Sequence, residues 1–305
     1  YALQAKQNAF QILVDFPQRG VIYDRKGKYM VKNEPSYDLM VTPKLVKGCD
    51  TLALCETLEI TKEEFLRRIK KACQAPNSPR KQSIFEKQMS SQRYARVQEK
   101  LYLFKGFYPV SRSVRKYPKP IAAHLLGYVG EVDGEFTKKN PYYKDGDYIG
   151  ISGIEKSYEA ELRGVKGKRI IIKNVHNKEI GSYLDGAIDT IAIMGKPLYS
   201  TIDMDLQEYG ERLMKGKKGA IVAIEPSTGE ILCIISAPGY DPNLFIGSKE
   251  RAKNYPILLG DTTLPLFNRA LTAMYPPGST FKLIDNLIGQ DEGVLNRSTI
   301  YPCAR

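Results

Sequence analysis

The clearest local pattern in this 305-residue sequence is a β-hairpin in its second half. Residues 219–225 read GAIVAIE and residues 230–236 read EILCIIS, with Pro226-Ser227-Thr228-Gly229 between them. Short apolar runs on either side of a segment that contains Pro and Gly predict two antiparallel strands joined by a turn. Any fold assigned to this chain must therefore include a strand pair at residues 219–236.

The first half of the sequence predicts further strands. Residues 21–43 indicate a strand, a turn and a second strand, and the turn lies at Lys26-Gly27. Residues 104–120 are basic and indicate an extended segment, and residues 165–195 indicate short strands. The hairpin of the second half is thus one part of a chain with several strands.

Helices are predicted between these strands. Residues 50–73 indicate a helix in which Thr61 and Glu64 form a capping box. Residues 150–164 indicate an amphipathic helix that is opened by Ser152 and closed by Gly164. Strands and helices in this order predict an α+β fold.

The sequence predicts two domains. A length near 300 residues suggests about two domains at the usual size of ~100–200 residues each. The pattern changes near residue 198, where a strand end is followed by a helix. We therefore expect one domain at residues 1–198 and a second at residues 199–305.

Composition excludes several classes of protein. Lys and Arg outnumber Asp and Glu by 46 to 34, a net charge of +12, but the positive residues are scattered and follow no zinc-finger or RNA-recognition spacing. Nucleic-acid binding is therefore not expected, whereas an anionic wall or membrane surface fits the charge. No run approaches the ~18–20 apolar residues that a membrane-spanning helix needs.

Cysteine and histidine usage argues against a cofactor or a metal site. The sequence has no C-x-x-C, and its odd number of cysteines cannot all pair within one chain: Cys49, Cys55, Cys73, Cys233 and Cys303. Spacing allows a bridge between Cys49 and Cys55, but small buried thiols are the favoured interpretation. Only two histidines are present, His124 and His176, so neither a histidine-rich metal site nor a Ser-His-Asp triad is predicted.

Five other polar residues have structural interpretations. Arg19, Asp24 and Arg25 could form a buried charge network, but surface turn residues are commoner. Asp203 is placed to cap the helix that follows it, and His124 sits in an apolar run typical of a packed core histidine. We assign none of these residues a catalytic role.

One motif could carry chemistry. Ser-x-x-Lys is the signature of a serine nucleophile and its lysine base in acyl-transfer enzymes. It occurs three times, at Ser78 to Lys81, Ser113 to Lys116, and Ser279 to Lys282. The first pair lies in a polar loop with a proline, and the second lies in an extended stretch, where residues i and i+3 point to opposite faces.

The third pair has the right local context. Ser279 follows Pro276-Pro277-Gly278 and begins an apolar helical run, so Ser279 and Lys282 would be neighbours on one side of a helix. The free N–H groups of the helix start would favour a developing negative charge. Ser279 could attack and Lys282 could accept its proton, provided that burial or nearby cations favour the neutral amine. The structural alternative is an ordinary N-cap serine and a solvated lysine.

The wider sequence resembles the class B penicillin-binding proteins. Residues 264–282, LPLFNRALTAMYPPGSTFK, are similar to the active-serine segment of that family. Similar stretches occur in the same order as in the family: RGVIYDRKGKYMVKNEPSYDLMVTP, VRKYPKPIAAHLLGYVGEVD, GISGIEKSYEAELRGVKG, LYSTIDMDLQEYGERL and GAIVAIEPSTGEILCIISAPGYDPN. The tyrosine of YPPGSTFK and the YDLMVTP stretch look closer to the elongation-type penicillin-binding protein 2 than to the division-type enzyme.

The resemblance implies a fold and a function. The fold would be an elongated non-catalytic pedestal domain followed by the N-terminal part of a transpeptidase domain of the serine β-lactamase type. The function would be that of a peptidoglycan D,D-transpeptidase of cell elongation. Ser279 would be the nucleophile toward D-Ala-D-Ala stem peptides and β-lactams, Lys282 would be the general base, and no cofactor or metal would be needed.

The resemblance also implies partners and a location. The family works with a membrane glycosyltransferase and a scaffold protein that contacts the pedestal. It acts at the periplasmic face of the bacterial inner membrane, anchored by an N-terminal helix that is absent from this sequence.

The sequence departs from the family pattern after Lys282. The family carries a Ser-x-Asn and a Lys-Thr-Gly motif beyond Ser-x-x-Lys, and residues 283–305 contain neither. We therefore expect a complete pedestal and only the first part of a transpeptidase domain, inactive by itself because the oxyanion is poorly held. The alternative is a non-catalytic scaffold that acts through the pedestal. A serine β-lactamase or β-lactam sensor is less favoured, because those proteins lack the pedestal.

Overall fold

The computed structural model describes residues 10–46, 48–74, 77–80, 82–132, 134–144, 146–173 and 179–300. The first nine residues, and the residues Lys81, His176 and Cys303, lie outside the described residues. The described chain forms two units, Tyr1–Ala270 and Leu271–Arg305.

Strands and helices alternate through the first unit. The strands are β1 (Phe10–Asp15), β2 (Ile22–Tyr23), β3 (Tyr29–Val41), β4 (Ser83–Met89), β5 (Phe107–Lys116), β6 (Val129–Glu131), β7 (Tyr148–Gly150), β8 (Gly167–Lys173), β9 (Glu179–Ser182), β10 (Leu198–Tyr199), β11 (Gly219–Ile224) and β12 (Ile231–Ala237). The helices are α1 (Thr51–Thr57), α2 (Lys62–Cys73), α3 (Ser91–Glu99), α4 (Ala123–Leu126), α5 (Gly134–Lys139), α6 (Gly153–Ser157), α7 (Glu159–Leu162), α8 (Met204–Leu213), α9 (Ser248–Leu259), α10 (Arg269–Thr272) and, in the second unit, α11 (Lys282–Asp291). None of the described helices is both long enough and apolar enough to cross a membrane.

The long strand β3 organises the largest sheet. Its first residues pair with β2, its last residues pair with β4, and residues 32–41 pair along their length with β5. β10 adds to the outer edge of β2 in parallel, so the described order is β10-β2-β3-β4 with β5 beside β3. A second sheet has the order β1-β8-β9, and two further pairs are β6-β7 and β11-β12.

One apolar core lies at each end of β3. The first packs the end of β3 against α1, α2 and β5, and its fully or almost fully buried members include Leu39, Leu54, Phe85 and Phe104. The second packs Ile22 and Val31 against Leu162, and it also contains Ile202 and Met204. Residues from both sides of position 198 thus share one core. The boundary near residue 198 stays a prediction.

Most of the predicted elements are confirmed. The hairpin is β11 and β12, the turn at Lys26-Gly27 separates β2 from β3, and the extended basic stretch is β5. The α+β fold class is confirmed as well.

Two predicted helices are each divided by a local backbone feature. Within residues 50–73, Glu59 has a φ of 52°, and α2 restarts at Thr61, whose Oγ1 accepts from the Glu64 N–H at 3.2 Å. Within residues 150–164, Tyr158 leaves the helical conformation between α6 and α7. The predicted end at Gly164 is confirmed, since its φ is 68° and a Cβ there would lie 2.4 Å from the Ile193 carbonyl oxygen.

The interpretation of Arg19 and Asp24 as surface residues is wrong. Asp24 is fully buried, and Arg19 is 9% exposed. Asp24 Oδ1 accepts from the N–H groups of Lys26 and Lys28 at 2.9 and 2.7 Å, so the carboxylate holds the turn from inside. Arg25 lies at the surface as expected, in a 3.4 Å ion pair with Glu230.

A buried ion cluster joins distant parts of the first unit. Glu155 in α6 is fully buried and accepts from Arg19 Nε and from Arg115 Nε, each at 2.7 Å. Arg19 Nη2 also donates to the Glu155 carbonyl oxygen at 3.0 Å. The loop before β2, the end of β5 and the helix α6 are therefore bound through one carboxylate.

We predict that Glu155→Gln destabilises the protein strongly. Neutralising the shared carboxylate leaves two buried guanidinium groups with reduced compensation, and breaking a buried pair in this way costs about 3–5 kcal/mol. The measurement is the free energy of unfolding from urea denaturation. The matched control is Glu230→Gln, which removes the exposed partner of Arg25 and should cost about 0–1 kcal/mol. Similar losses in the two variants would contradict the assignment.

Candidate active site

Ser279 and Lys282 lie in the helical part of the second unit. Residues Gly278–Phe281 form one turn of 3-10 helix, and α11 follows from Lys282. In a 3-10 turn the residues i and i+3 are nearly eclipsed, so the Ser and Lys backbones are placed on one side. Among the described residues, no hydrogen bond joins their side chains, and both residues are exposed.

The interpretation of Ser279 as an ordinary N-cap serine does not agree with the structure. Pro277 occupies the N-cap of the 3-10 turn and Phe281 that of α11, and neither makes a side-chain cap hydrogen bond. The Ser279 hydroxyl is therefore not used as an N-cap. The Thr280 hydroxyl instead donates to the Pro277 carbonyl oxygen at 2.5 Å. The assignment of Ser279 as nucleophile and Lys282 as base stays a prediction.

The surroundings of the pair are apolar but open. α11 presents an apolar stripe that is 45–71% exposed: Phe281, Leu283, Ile284, Leu287 and Ile288. A base role for Lys282 needs burial or nearby cations to favour the neutral amine. The described residues leave Lys282 exposed, so they do not provide that burial.

The other two Ser-x-x-Lys motifs lie where the sequence predicts. Ser113 and Lys116 are in β5, and three residues along a strand place side chains on opposite faces. Ser78 lies in a loop, where its hydroxyl accepts from the Arg80 N–H at 3.4 Å. Neither described serine begins a helix, which leaves Ser279 as the one of the three in a helical context.

The segment that leads toward the serine is held in the first unit by a residue that sequence reasoning missed. Arg269 is 8% exposed and its guanidinium donates to the carbonyl oxygens of Thr263 and Leu264, at 2.7 and 2.9 Å. Its N–H donates to the Ser236 hydroxyl at 2.9 Å. The loop at residues 263–269 is thereby bound to β12. The signal in the sequence was a single arginine within an apolar stretch.

His124 fastens the same loop from another side. Its Nε2 lies 2.8 Å from the Pro265 carbonyl oxygen, and its ring meets the Tyr240 ring edge-on at a centroid distance of 5.2 Å. Burial is the main cause that lowers the pKa of His124 below its ordinary value of 6.5, and the positive charge of Arg269 lowers it further. The predicted packed role of His124 is consistent with this geometry.

The remaining candidate residues have structural roles in the described chain. Asp203 caps α8 as predicted, because its side chain accepts from the N–H groups of Asp205 and Leu206 at 3.0 and 3.3 Å. The four described cysteines are free thiols: Cys49, Cys55, Cys73 and Cys233. Within the described residues no group of three or more His, Cys, Asp or Glu side chains could hold a metal ion.

Two domain families match the chain. Residues 14–200 match the penicillin-binding protein dimerisation domain, and residues 219–305 match the penicillin-binding protein transpeptidase domain. The first match alone covers more than half of the chain.

Several relatives match over nearly all of the chain. A peptidoglycan D,D-transpeptidase MrdA of Acinetobacter baumannii is 34% identical over 93% of this chain and 42% of its own length. The MrdA of Escherichia coli K12 is 32% identical over 98% of this chain and 48% of its own length. Penicillin-binding protein 3 of Bacillus subtilis is 31% identical over 95% of the chain and 42% of its own length. The chain thus spans somewhat less than half the length of these relatives.

A solved structure also matches. In the complex between penicillin-binding protein 2 and MreC from Helicobacter pylori, one chain superposes with a TM-score of 0.75 at 26% identity. The match covers 96% of this chain and 55% of that chain.

We predict that His124 makes stability depend on pH. Because the folded pKa is lowered, the unfolded state binds more protons below pH 6.5, so stability is full above about pH 6.5 and falls as the pH drops toward the folded pKa. The measurement is the free energy of unfolding between pH 5 and 8 for the wild type and for His124→Gln, whose amide can still donate to Pro265. The wild type should lose stability relative to the variant below about pH 6.5. Parallel pH profiles would contradict the prediction.

Proposed function

The chain belongs to the penicillin-binding proteins, and on that premise we propose that the whole protein is a peptidoglycan D,D-transpeptidase of cell elongation and shape. The observation that carries the proposal is the position of Ser279-x-x-Lys282. The motif lies inside the residues that match the transpeptidase domain, and it occupies a 3-10 turn that runs into α11. Relatives named as peptidoglycan D,D-transpeptidases match across the same residues.

The proposed chemistry is a two-step acyl transfer. The Ser279 hydroxyl attacks the carbonyl between the two D-alanines of a stem peptide while Lys282 accepts its proton. The C–N bond breaks, the proton passes to the leaving amine, and D-alanine is released. An amine of a neighbouring stem peptide then attacks the acyl-serine ester, forms the cross-link and returns the serine hydroxyl. A β-lactam would acylate Ser279 in the same first step.

The location and the partners belong to the same proposal. A transpeptidase of this kind works at the periplasmic face of the inner membrane, where its wall substrate lies. The net charge of +12 suits an anionic envelope surface. We expect a membrane glycosyltransferase to supply the glycan strands and a scaffold protein to contact the pedestal.

We predict that Ser279→Ala abolishes covalent labelling of the full-length protein by a fluorescent penicillin. The hydroxyl is the attacking group, so its loss should lower the acylation rate by more than about 10³-fold. Lys282→Ala should slow acylation by about 10²–10⁴-fold, the usual contribution of a positioned general base. The measurement is labelled protein per total protein over time, read from a gel and by intact mass.

The control for this experiment is Ser78→Ala, which removes the serine of a Ser-x-x-Lys motif in a loop. It should label like the wild type. If the full-length Ser279→Ala protein is still labelled to one equivalent, the nucleophile is another residue. Normal labelling of Lys282→Ala would agree with Ser279 as the nucleophile and would contradict the assignment of Lys282 as the base.

A second function is a scaffold role through the pedestal. The observation that favours it is the solved structure of the Helicobacter pylori protein, which contains that protein together with MreC. The two functions are compatible, because they use different parts of the chain. We predict that the full-length Ser279→Ala protein binds its MreC-type scaffold with unchanged affinity, measured by biolayer interferometry. A loss of binding in that variant would show that the scaffold role depends on the active serine.

A further inference from the structure

A cavity of about 110 Å³ lies inside the first unit, at the end of β5. Its walls come from β5 itself, from β3, from the loops around residues 16–19 and 142–148, and from residues 242–247 after β12. Its described lining includes no residue of the Leu271–Arg305 unit. The cavity is therefore a feature of the chain that the proposed reaction at Ser279 does not use.

The walls of the cavity are rich in cations. Five basic side chains line it, and only one acidic side chain does, Asp147: the basic residues are Arg19, Arg112, Arg115, Arg163 and Lys166. Four carboxylates pair with these cations from the cavity wall or from behind it: Asp38, Asp147, Glu155 and Glu159. Five positive charges against four negative charges leave the cluster with one positive charge in excess.

Arg163 is the cation without a carboxylate partner. Its Nη1 donates to the Tyr143 hydroxyl at 3.2 Å, and its guanidinium lies 3.9 Å from the centre of the Tyr142 ring. It forms no ion pair with any described carboxylate. Glu159 acts on Arg163 only from beyond ion-pair distance, so a bound anion would supply a closer counter-charge.

Arg115 has a buried donor nitrogen without a hydrogen-bond partner. Its side chain is 5% exposed, its Nε binds Glu155 at 2.7 Å, and its Nη1 donates to Asn33 Oδ1 at 2.9 Å. Its Nη2 is buried and has no hydrogen-bond partner. The one other described buried nitrogen without a partner, Arg93 Nε, does not belong to the cavity lining. Arg115 lines the cavity, and a bound acceptor close to its guanidinium would satisfy this unpartnered charged donor.

The rest of the lining is aromatic. The rings that line the cavity come from Phe16, Tyr117, Tyr128, Tyr142, Tyr143, Tyr148 and Phe245. Burial raises the pKa of Tyr143 and of Tyr148 to about 12 in each case, so these side chains stay neutral and do not repel an anion. A ligand that suits such a wall has an apolar or aromatic body and a single negative charge.

We infer that this cavity binds a small monocarboxylate with an aromatic or apolar body. Its carboxylate accepts a hydrogen bond from Arg115 Nη2 and lies in the field of Arg163, while the rings enclose its body. A dianionic phosphate matches neither the single excess charge nor the aromatic wall. The inference does not depend on the transpeptidase function.

The test uses benzoate as the probe and the full 305-residue chain. Binding is measured by isothermal titration calorimetry at constant ionic strength, beside benzamide, which has the same shape without the charge, and inorganic phosphate. We expect benzoate to bind with 1:1 stoichiometry and benzamide and phosphate to bind at least about tenfold more weakly, the factor expected for loss of a charge-assisted hydrogen bond.

Two variants locate the site. Arg115→Lys keeps a cation beside Glu155 and removes Nη2, and Arg163→Gln removes the cation that lacks a carboxylate. Each should weaken benzoate binding at least about tenfold, because each removes one charged contact of the carboxylate. The control is Arg96→Gln, which removes a surface charge paired with Glu59 and should leave benzoate binding unchanged. Circular dichroism checks the fold, and Arg163→Gln decides the outcome if Arg115→Lys does not fold.

Five outcomes would overturn the inference. No binding of benzoate at 1:1 stoichiometry means that the cavity holds water only. Equal binding of benzamide means that the cavity does not recognise the charge of the ligand. Tighter binding of phosphate means that the cavity binds a different class of anion. Undiminished benzoate binding in Arg163→Gln, or equal weakening in Arg96→Gln, places the bound carboxylate elsewhere.

Discussion

The first unit depends on one fully buried carboxylate. Glu155 satisfies both of its oxygens with arginine donors, one from the loop before β2 and one from the end of β5. A buried ion is tolerated only when its partners are close and its hydrogen bonds are complete, so the three segments must arrive together for any of them to be stable. Further hydrogen bonds extend the same network to β3. The Arg19 carbonyl oxygen accepts from Asn33 of β3, and Asn33 in turn accepts from Arg115.

Sequence reasoning found the elements whose causes are local. The hairpin of β11 and β12, the turn at Lys26-Gly27 and the cap at Thr61 each depend on residues within a few positions of one another, and each is present. The buried charges could not be found in the same way. Arg19 and Glu155 are 136 residues apart, and nothing near Arg19 in the sequence shows that a carboxylate will meet it. The general rule that charged residues lie at the surface therefore gave the wrong interpretation for Arg19 and Asp24.

The candidate active site shows the same division between local and distant causes. Spacing and the Pro-Pro-Gly break singled out Ser279 and Lys282 among three equivalent motifs, and the helical turn that the argument required is present. What spacing could not supply is the environment that activates a lysine, since burial is a property of everything packed around it. In the described residues the helix face beside the pair is apolar and exposed. The structure thus shows the helical turn that the nucleophile assignment requires, while the described residues leave Lys282 exposed.

Polar contacts, and not only apolar packing, join the two sides of position 198. Asn243 follows the hairpin, and its side chain accepts from the Tyr117 N–H at 3.2 Å and donates to the Tyr117 carbonyl oxygen at 3.1 Å. Asp24, which precedes position 198, also bonds across it, because its Oδ2 accepts from the Met204 N–H at 3.4 Å. Directional bonds of this kind fix the angle between the joined segments, which apolar contacts alone do not. The aromatic, cationic cavity is lined by residues from before and after position 198. A carboxylate bound there would therefore add contacts between two parts of the chain that hydrogen bonds already join.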